Sequence, residues 1–200
     1  MQESALIIFC NWVSRLFFLH VAFIVGLFMG GIIGGIAPSS VMVCTMLRRY
    51  LNGAGHISIK AMFDCYMNEF IRSNLITLYF IVPALLCLCG VFWAIEHDSF
   101  FSVCSLVLLP YAALSLIISY CCIVMFSIYD AADMKAVLAN ALYLLISQKM
   151  TMFMTALCFT TIFILLVVMP IVVVFFGIMP VFFTSVGLMW RNHLECRVLN

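Results

Sequence analysis

Glu96-His97-Asp98 is the densest run of ionisable side chains in this sequence. Two carboxylates around an imidazole have the composition of an acid–base or metal site. The same three residues suit a hydrated turn between two apolar runs, and the turn is the favoured reading. His20 stands alone near the outer end of the first apolar run, where an interfacial histidine is favoured over a proton relay. His56 and His193 have no neighbouring ligand set. No HExxH zinc pair, Walker loop or GxSxG elbow occurs. Of the 10 cysteines, Cys44, Cys87, Cys89, Cys104, Cys121, Cys122 and Cys158 lie in apolar runs and read as small hydrophobes. Cys87 and Cys89 point to nearly opposite faces of a helix. The adjacent Cys121 and Cys122 diverge by about 100°, so neither pair has zinc-site spacing. The expectation is a chain with no catalytic residue, no metal site and no cofactor, and hence not an enzyme.

The elements that carry these residues are apolar. The chain has 200 residues, 67% hydrophobic and 8% charged, against about 25% charged for an ordinary soluble domain. Nine basic and eight acidic residues cannot cover a water-facing surface of this size, so most of it must face lipid. The net charge of +1 offers no electrostatic case for nucleic acid. Residues between Arg15 and Arg48, Arg72 and Glu96, Asp98 and Asp130, and Lys149 and Arg191 carry no Asp, Glu, Lys or Arg. A crossing needs about 20 apolar residues. The predicted fold class is therefore an all-α, polytopic transmembrane bundle forming one domain over 1–200. About five spans are expected, near 16–37, 74–95, 100–129, 151–169 and 171–190. The last turn is placed at Pro170, which suits the first position of a new helix. A turn at Gly177 to Pro180 leaves too few residues before Arg191. Trp12, Trp93 and Trp190 fall at span ends, where indoles reach the headgroups.

Five spans put eight basic residues on one side and only Arg15 on the other. The positive-inside rule then makes the C-terminus cytoplasmic, in a cell membrane. The first run is awkward: Gly30, Gly31, Gly34, Gly35 and Pro38 can kink or break a helix. A single kinked helix is favoured, with the N-terminus outside; a helical hairpin is the alternative and puts it inside. The apolar stretch is too long for a cleavable leader, whose core has about 7–15 residues. Gly26, Gly30 and Gly34 repeat every four residues, as do Gly31 and Gly35, and small faces let helices approach closely. Packing within the chain is favoured over a homodimer.

Two segments read as amphipathic helices at the inner membrane surface. In 57–72, Ile59, Met62, Phe63, Tyr66, Met67, Phe70 and Ile71 form an apolar stripe, with Lys60, Asp64, Asn68 and Arg72 opposite. In 130–149, Asp130 is a plausible N-cap and Asp133 suits the helix dipole. Met134, Val137, Leu138, Ala141, Leu142 and Leu145 form its stripe, and Lys149 closes it. Packing on the chain's own helix ends is favoured for both. The other reading is a docking surface of Arg48, Arg49, Lys60, Asp64, Arg72, Asp130, Asp133 and Lys135.

The stretches GGIAPSSVMVCTMLRRYLNG and AMFDCYMNEFIRSNLI resemble the opening half of the YesL-like bacterial membrane proteins, a family of unknown function. YDAADMKAVLANALYLLISQKMTMFMTAL and MPIVVVFFGIMPVFFTSVGLMW resemble its second cytoplasmic segment and final span, so the likeness extends over nearly the whole chain. The family has no defined catalytic or ligand residues to carry across. Its members often accompany carbohydrate-uptake and polysaccharide-degrading genes. The resemblance therefore implies a non-enzymatic accessory to sugar import, with transporter subunits as partners. The alternative is a permease-like transport protein for a neutral solute. Against an ion-coupled transporter, no predicted span holds an internal Asp, Glu, Lys or Arg.

Overall fold

The computed structural model describes residues 5–96, 100–129, 133–169 and 177–198. Among the described residues the chain is helical, with no strand. The helices are α1 (Ala5–Met29), α2 (Ile33–Leu51), α3 (Ile59–Glu96), α4 (Phe100–Ile128), α5 (Met134–Ser147), α6 (Lys149–Val168) and α7 (Met179–Val198). Four stretches are long and apolar enough to cross a membrane: Leu6–Met29, Ile59–Trp93, Val107–Ile128 and Lys149–Val168. The expected transmembrane helical bundle is the observed fold class.

The first run is a hairpin, not one kinked helix. Its break has a local cause. Gly31 adopts φ +68, a left-handed conformation that glycine takes without steric cost. Ile32 N–H then bonds Leu27 O at 2.8 Å and Gly31 N–H bonds Phe28 O at 3.2 Å, the Schellman closure of a helix C-terminus. Ile32 itself has φ 66 and ψ −71, and Ile33 N–H bonds Gly31 O at 2.9 Å. That is a γ-turn of the strained sign, on a β-branched residue. The chain reverses within three residues. Arg15, midway along α1, consequently lies over the Tyr50 ring near the end of α2, 4.8 Å from its centroid.

The two arms touch backbone to backbone. A Cβ on Gly35 would lie 2.5 Å from Leu27 O, and one on Gly30 would collide with the Gly35 backbone. Gly26 packs under Ser39 and Tyr66. The predicted glycine face is thus occupied within the chain: Gly26, Gly30 and Gly35 by close approach, and Gly34 beneath the Phe70 ring. Gly31 serves the turn and has open space beside it.

α2 is the axis of the bundle. Gly35, Tyr50 and every residue from Ala37 to Arg48 are buried, and α1, α3, α4 and α7 all pack on it. Its polar groups are served locally: Ser40 Oγ donates to Ile36 O at 2.7 Å and Thr45 Oγ1 to Val41 O at 2.8 Å. Pro38 lies inside this helix. Having no N–H, it leaves the carbonyl four residues back, Gly34 O, without its helical partner. Asn74 Nδ2 of α3 donates to that oxygen at 2.8 Å. Two turns earlier on α3, Tyr66 OH donates to Gly26 O at 3.0 Å. The carbonyls flanking the turn are therefore held by one neighbouring helix.

α3 revises the map of the cytoplasmic segments. The expected interfacial helix 57–72 and the expected span 74–95 are one continuous helix of 38 residues, about 57 Å long at 1.5 Å per residue. No Gly or Pro occurs between Ile59 and Val82 to break it. The polar residues at the expected junction are used inside the helix, Ser73 Oγ donating to Glu69 O at 2.7 Å and Asn74 Nδ2 also to Phe70 O at 2.9 Å. A hydrocarbon core is only about 30 Å thick. The uncharged half, exposing Leu75, Leu78, Val82, Leu85 and Leu86, suits the crossing. The half that exposes Lys60, Asp64 and Asn68 runs beside the α1–α2 hairpin, Tyr66 and Asn74 reaching Gly26 O and Gly34 O.

Two other boundaries move. Lys149 opens α6 instead of closing α5, because the chain bends at Gln148 (φ −104, ψ 58). Asp133 holds the N-cap position of α5 in extended geometry but makes no side-chain capping bond. Of the α5 stripe, Val137 and Ala141 are buried whereas Leu142 is exposed; Leu144, outside the predicted stripe, is buried. Of the expected span 171–190, residues 171–176 lie outside the described residues. The helix observed there begins at Met179, after Gly177 at φ +47, with Pro180 in its first turn. The turn therefore includes the Gly177 region rejected on sequence grounds, and the helix compensates by running past Arg191.

The Pro38–Gly34–Asn74 arrangement makes a direct prediction. Asn74→Leu should lower stability in mild detergent by about 1–3 kcal/mol, the cost of an orphaned buried acceptor. Adding Pro38→Ala, which restores the helical donor, should recover most of it in thermal or SDS unfolding. Equal stability of the parent and Asn74→Leu would show that Gly34 O does not need this donor.

Candidate functional site

The charged residues expected to act together part company. Arg48 and Arg49 are adjacent, so a helix turns them about 100° apart. Arg48 points into the bundle and is buried. Its Nη1 donates to Ile128 O at 2.6 Å, and its guanidinium lies 5.7 Å from the Trp190 ring centroid. A cation suits the C-terminal end of α4, where carbonyls lack helical partners. Arg48 is therefore a structural clasp between α2, α4 and α7 and cannot belong to a docking surface. Arg49 faces outward and is exposed.

Arg49 instead lines a cleft of about 300 Å³ between α2, α3 and α4. Thr45 and Arg49 come from α2, Asp64, Asn68 and Glu69 from α3, and Phe126 from α4. The spacings explain the grouping. Thr45 and Arg49 are one turn apart, as are Asp64 and Asn68, and Glu69 follows on the same face. Glu69 is half-buried; its Oε2 is sealed from solvent and has no hydrogen-bond partner. Asp64 is exposed at the rim and Phe126 is buried. The cleft thus combines one cation, two carboxylates, an amide, a hydroxyl and an aromatic wall. A second hollow of about 290 Å³, between α1 and α3, is lined by Phe18, Val25, Met29, Phe63 and other largely apolar groups, and it offers only shape.

The remaining predicted positions scatter. Lys60, Asp133 and Lys135 are exposed, and Arg72 is half-buried. Asp130 and the Glu96-His97-Asp98 turn fall at positions whose side chains lie outside the described residues. His20 is not at an outer helix end. It is buried, with its ring against Gly177, where any Cβ would collide with it. Cys44, Cys121 and Cys122 are buried in the core. Among the described residues no three His, Cys, Asp or Glu side chains are grouped closely enough to hold a metal ion. Glu69 lies outside the polar stripe of Lys60, Asp64, Asn68 and Arg72 that the sequence predicts. Its spacing from Cys65 and Asp64 was the available signal.

Residues 16–94 match the family described as "Protein of unknown function, DUF624". The Bacillus subtilis (strain 168) protein described as "Uncharacterized protein YesV" is 32% identical over 72 residues, 36% of this chain. The chain spans 35% of the length of that relative. No solved structure matches. The family match takes in most of α1, all of α2 and nearly all of α3, which together build the hairpin and most of the cleft. It stops short of α4, so the likeness is narrower than the whole-chain resemblance expected from sequence.

The split of the basic pair is testable. Arg48→Met should cost about 1.5–3 kcal/mol, the range for hydrogen bonds to charged groups. Arg49→Met should stay within about 0.5 kcal/mol, as exposed substitutions usually do. Unfolding of the two purified variants in the same detergent gives the comparison; equal losses would contradict the assigned roles.

Proposed function

We propose that this chain is a non-enzymatic, multi-pass protein of the bacterial cytoplasmic membrane that assists carbohydrate uptake by docking transporter subunits. The observation that carries this reading is the outer face of α3 before Ile71 together with that of α5. There, exposed Ile59, Phe63 and Met67 alternate with exposed Lys60, Asp64 and Asn68. On α5, exposed Tyr143 and Ile146 accompany exposed Lys135. Large apolar groups interleaved with charges suit a protein partner better than water. The sugar-related role itself rests on the resemblance to YesL-like proteins.

The docking end is assigned to the cytoplasm by the basic residues around it. Because the hairpin returns Arg15 to the side of Tyr50, the N-terminus belongs to the same side as the C-terminus. This reverses the orientation expected for α1 alone. Fluorescent-protein fusions after Tyr50 and at the C-terminus should fluoresce, whereas alkaline phosphatase fused at either place should be inactive. Active phosphatase at either place would reverse the assignment.

Affinity purification in mild detergent should recover sugar-transporter subunits with the parent chain. Recovery should fall at least fivefold with Lys60→Glu combined with Lys135→Glu, which reverses charge without touching the core. Repeated isolation of the chain without transporter subunits would defeat the reading.

A further inference from the structure

We propose that the polar cleft between α2, α3 and α4 binds a small dipolar ligand bearing an ammonium group and, a few bonds away, an anionic group. This chemistry occurs in the ethanolamine phosphate headgroup of a phospholipid and in free zwitterions. The proposal is independent of partner docking, because it concerns the cleft and not the outer faces of α3 and α5.

Three charged side chains line this one cleft, Arg49, Asp64 and Glu69. Among the described residues none of the three makes an ion pair or side-chain hydrogen bond. Glu69 lines the cleft, and native structures seldom leave a buried polar atom unserved, yet its Oε2 is sealed without a donor and meets a ligand only as the carboxylate turns into the cleft. What it lacks is a donor, and an ammonium group supplies three. Arg49 lacks the reverse, an oxyanion, and its guanidinium presents paired donors suited to phosphate or carboxylate. One ligand with both groups serves both needs, and a simple cation or a simple anion serves one. A metal ion is disfavoured by the absence of a three-ligand grouping among the described residues and by Arg49 in the same lining.

The rest of the cleft agrees. Its volume of about 300 Å³ is at the small end of ligand pockets and is ample for an ethanolamine phosphate. Thr45 Oγ1 already donates to Val41 O at 2.8 Å, so toward the cleft its oxygen can only accept. Asn68 offers an acceptor and donors. Phe126 gives the methylene carbons an apolar wall. The cleft flanks the charged half of α3, where headgroups rather than acyl chains are the nearest lipid chemistry.

The test uses the full chain in nanodiscs of phosphatidylcholine containing about one part in ten phosphatidylethanolamine, with retained lipid read by native mass spectrometry after detergent extraction. The two headgroups differ in that a trimethylammonium has no N–H. Relative to its abundance, phosphatidylethanolamine should be retained at least tenfold over phosphatidylcholine. Glu69→Gln and Arg49→Gln should each abolish that preference, and Lys149→Gln, exposed on α6 outside the cleft, should leave it intact. Free phosphoethanolamine is the second arm. Saturable binding to the detergent-purified chain, lost in Glu69→Gln, supports a solute source; enrichment of the lipid without such binding supports the headgroup source. Equal retention of the two lipids together with no binding of phosphoethanolamine overturns the proposal. So does an unchanged preference in either Gln variant that elutes as a monodisperse species. Should Glu69→Gln not fold, the exposed Arg49→Gln alone decides.

Discussion

A helix broken inside lipid must find partners for the backbone groups it frees, because no water is there to serve them. This constraint organises the chain. Pro38 frees Gly34 O, and Asn74 takes it; α4 ends at Ile128 O, and Arg48 takes it; Gly26 O near the end of α1, already bonded by Gly30 N–H, accepts a second bond from Tyr66. Each donor comes from a helix other than the one it serves. The bundle is thereby tied at its helix ends, where apolar packing alone is least directional. Between lipid-exposed helices the hydrophobic effect offers little, since acyl chains are as apolar as Leu. Directional bonds and close backbone approach must then define which helix lies beside which.

The burial of α2 follows from the same logic. A helix carrying Ser39, Ser40, Thr45 and Arg48 is poorly suited to face acyl chains, and all four side chains are buried. Surrounding it with α1, α3, α4 and α7 removes them from lipid, while its small residues let the neighbours come close. The helices left outside are the apolar ones. α6 shows this most plainly, being buried at only Thr151 and Thr155. The polar cleft lies where this wrapping ends, between the last turns of α2 and α4 and the start of α3.

The helical class and most boundaries were legible in the sequence, because lipid selects long uncharged runs and charges mark their ends. The ends of α4 and α6 follow Asp98, Asp130 and Lys149 within a few residues. What composition did not disclose was continuity. Ile59 to Glu96 reads as two elements because its polarity changes at Arg72, yet backbone geometry has no reason to stop there. The hairpin is hard to read from sequence for the opposite reason. Glycine and proline clusters signal either a kink or a reversal; here Gly31 at φ +68 closes α1, and donors on α3, forty residues beyond the carbonyls they serve, hold the reversal. The cleft was partly visible: Arg49 and Asp64 were singled out as charged, but a face shared by three helices cannot be read from any one helical wheel.

That sequence separation also bears on the hairpin by itself. α1 and α2 precede Asn74 in the chain, so their hairpin leaves Gly34 O unserved until α3 packs beside it. The α1–α2 pair taken without α3 therefore lacks the donor that Gly34 O receives in the whole chain.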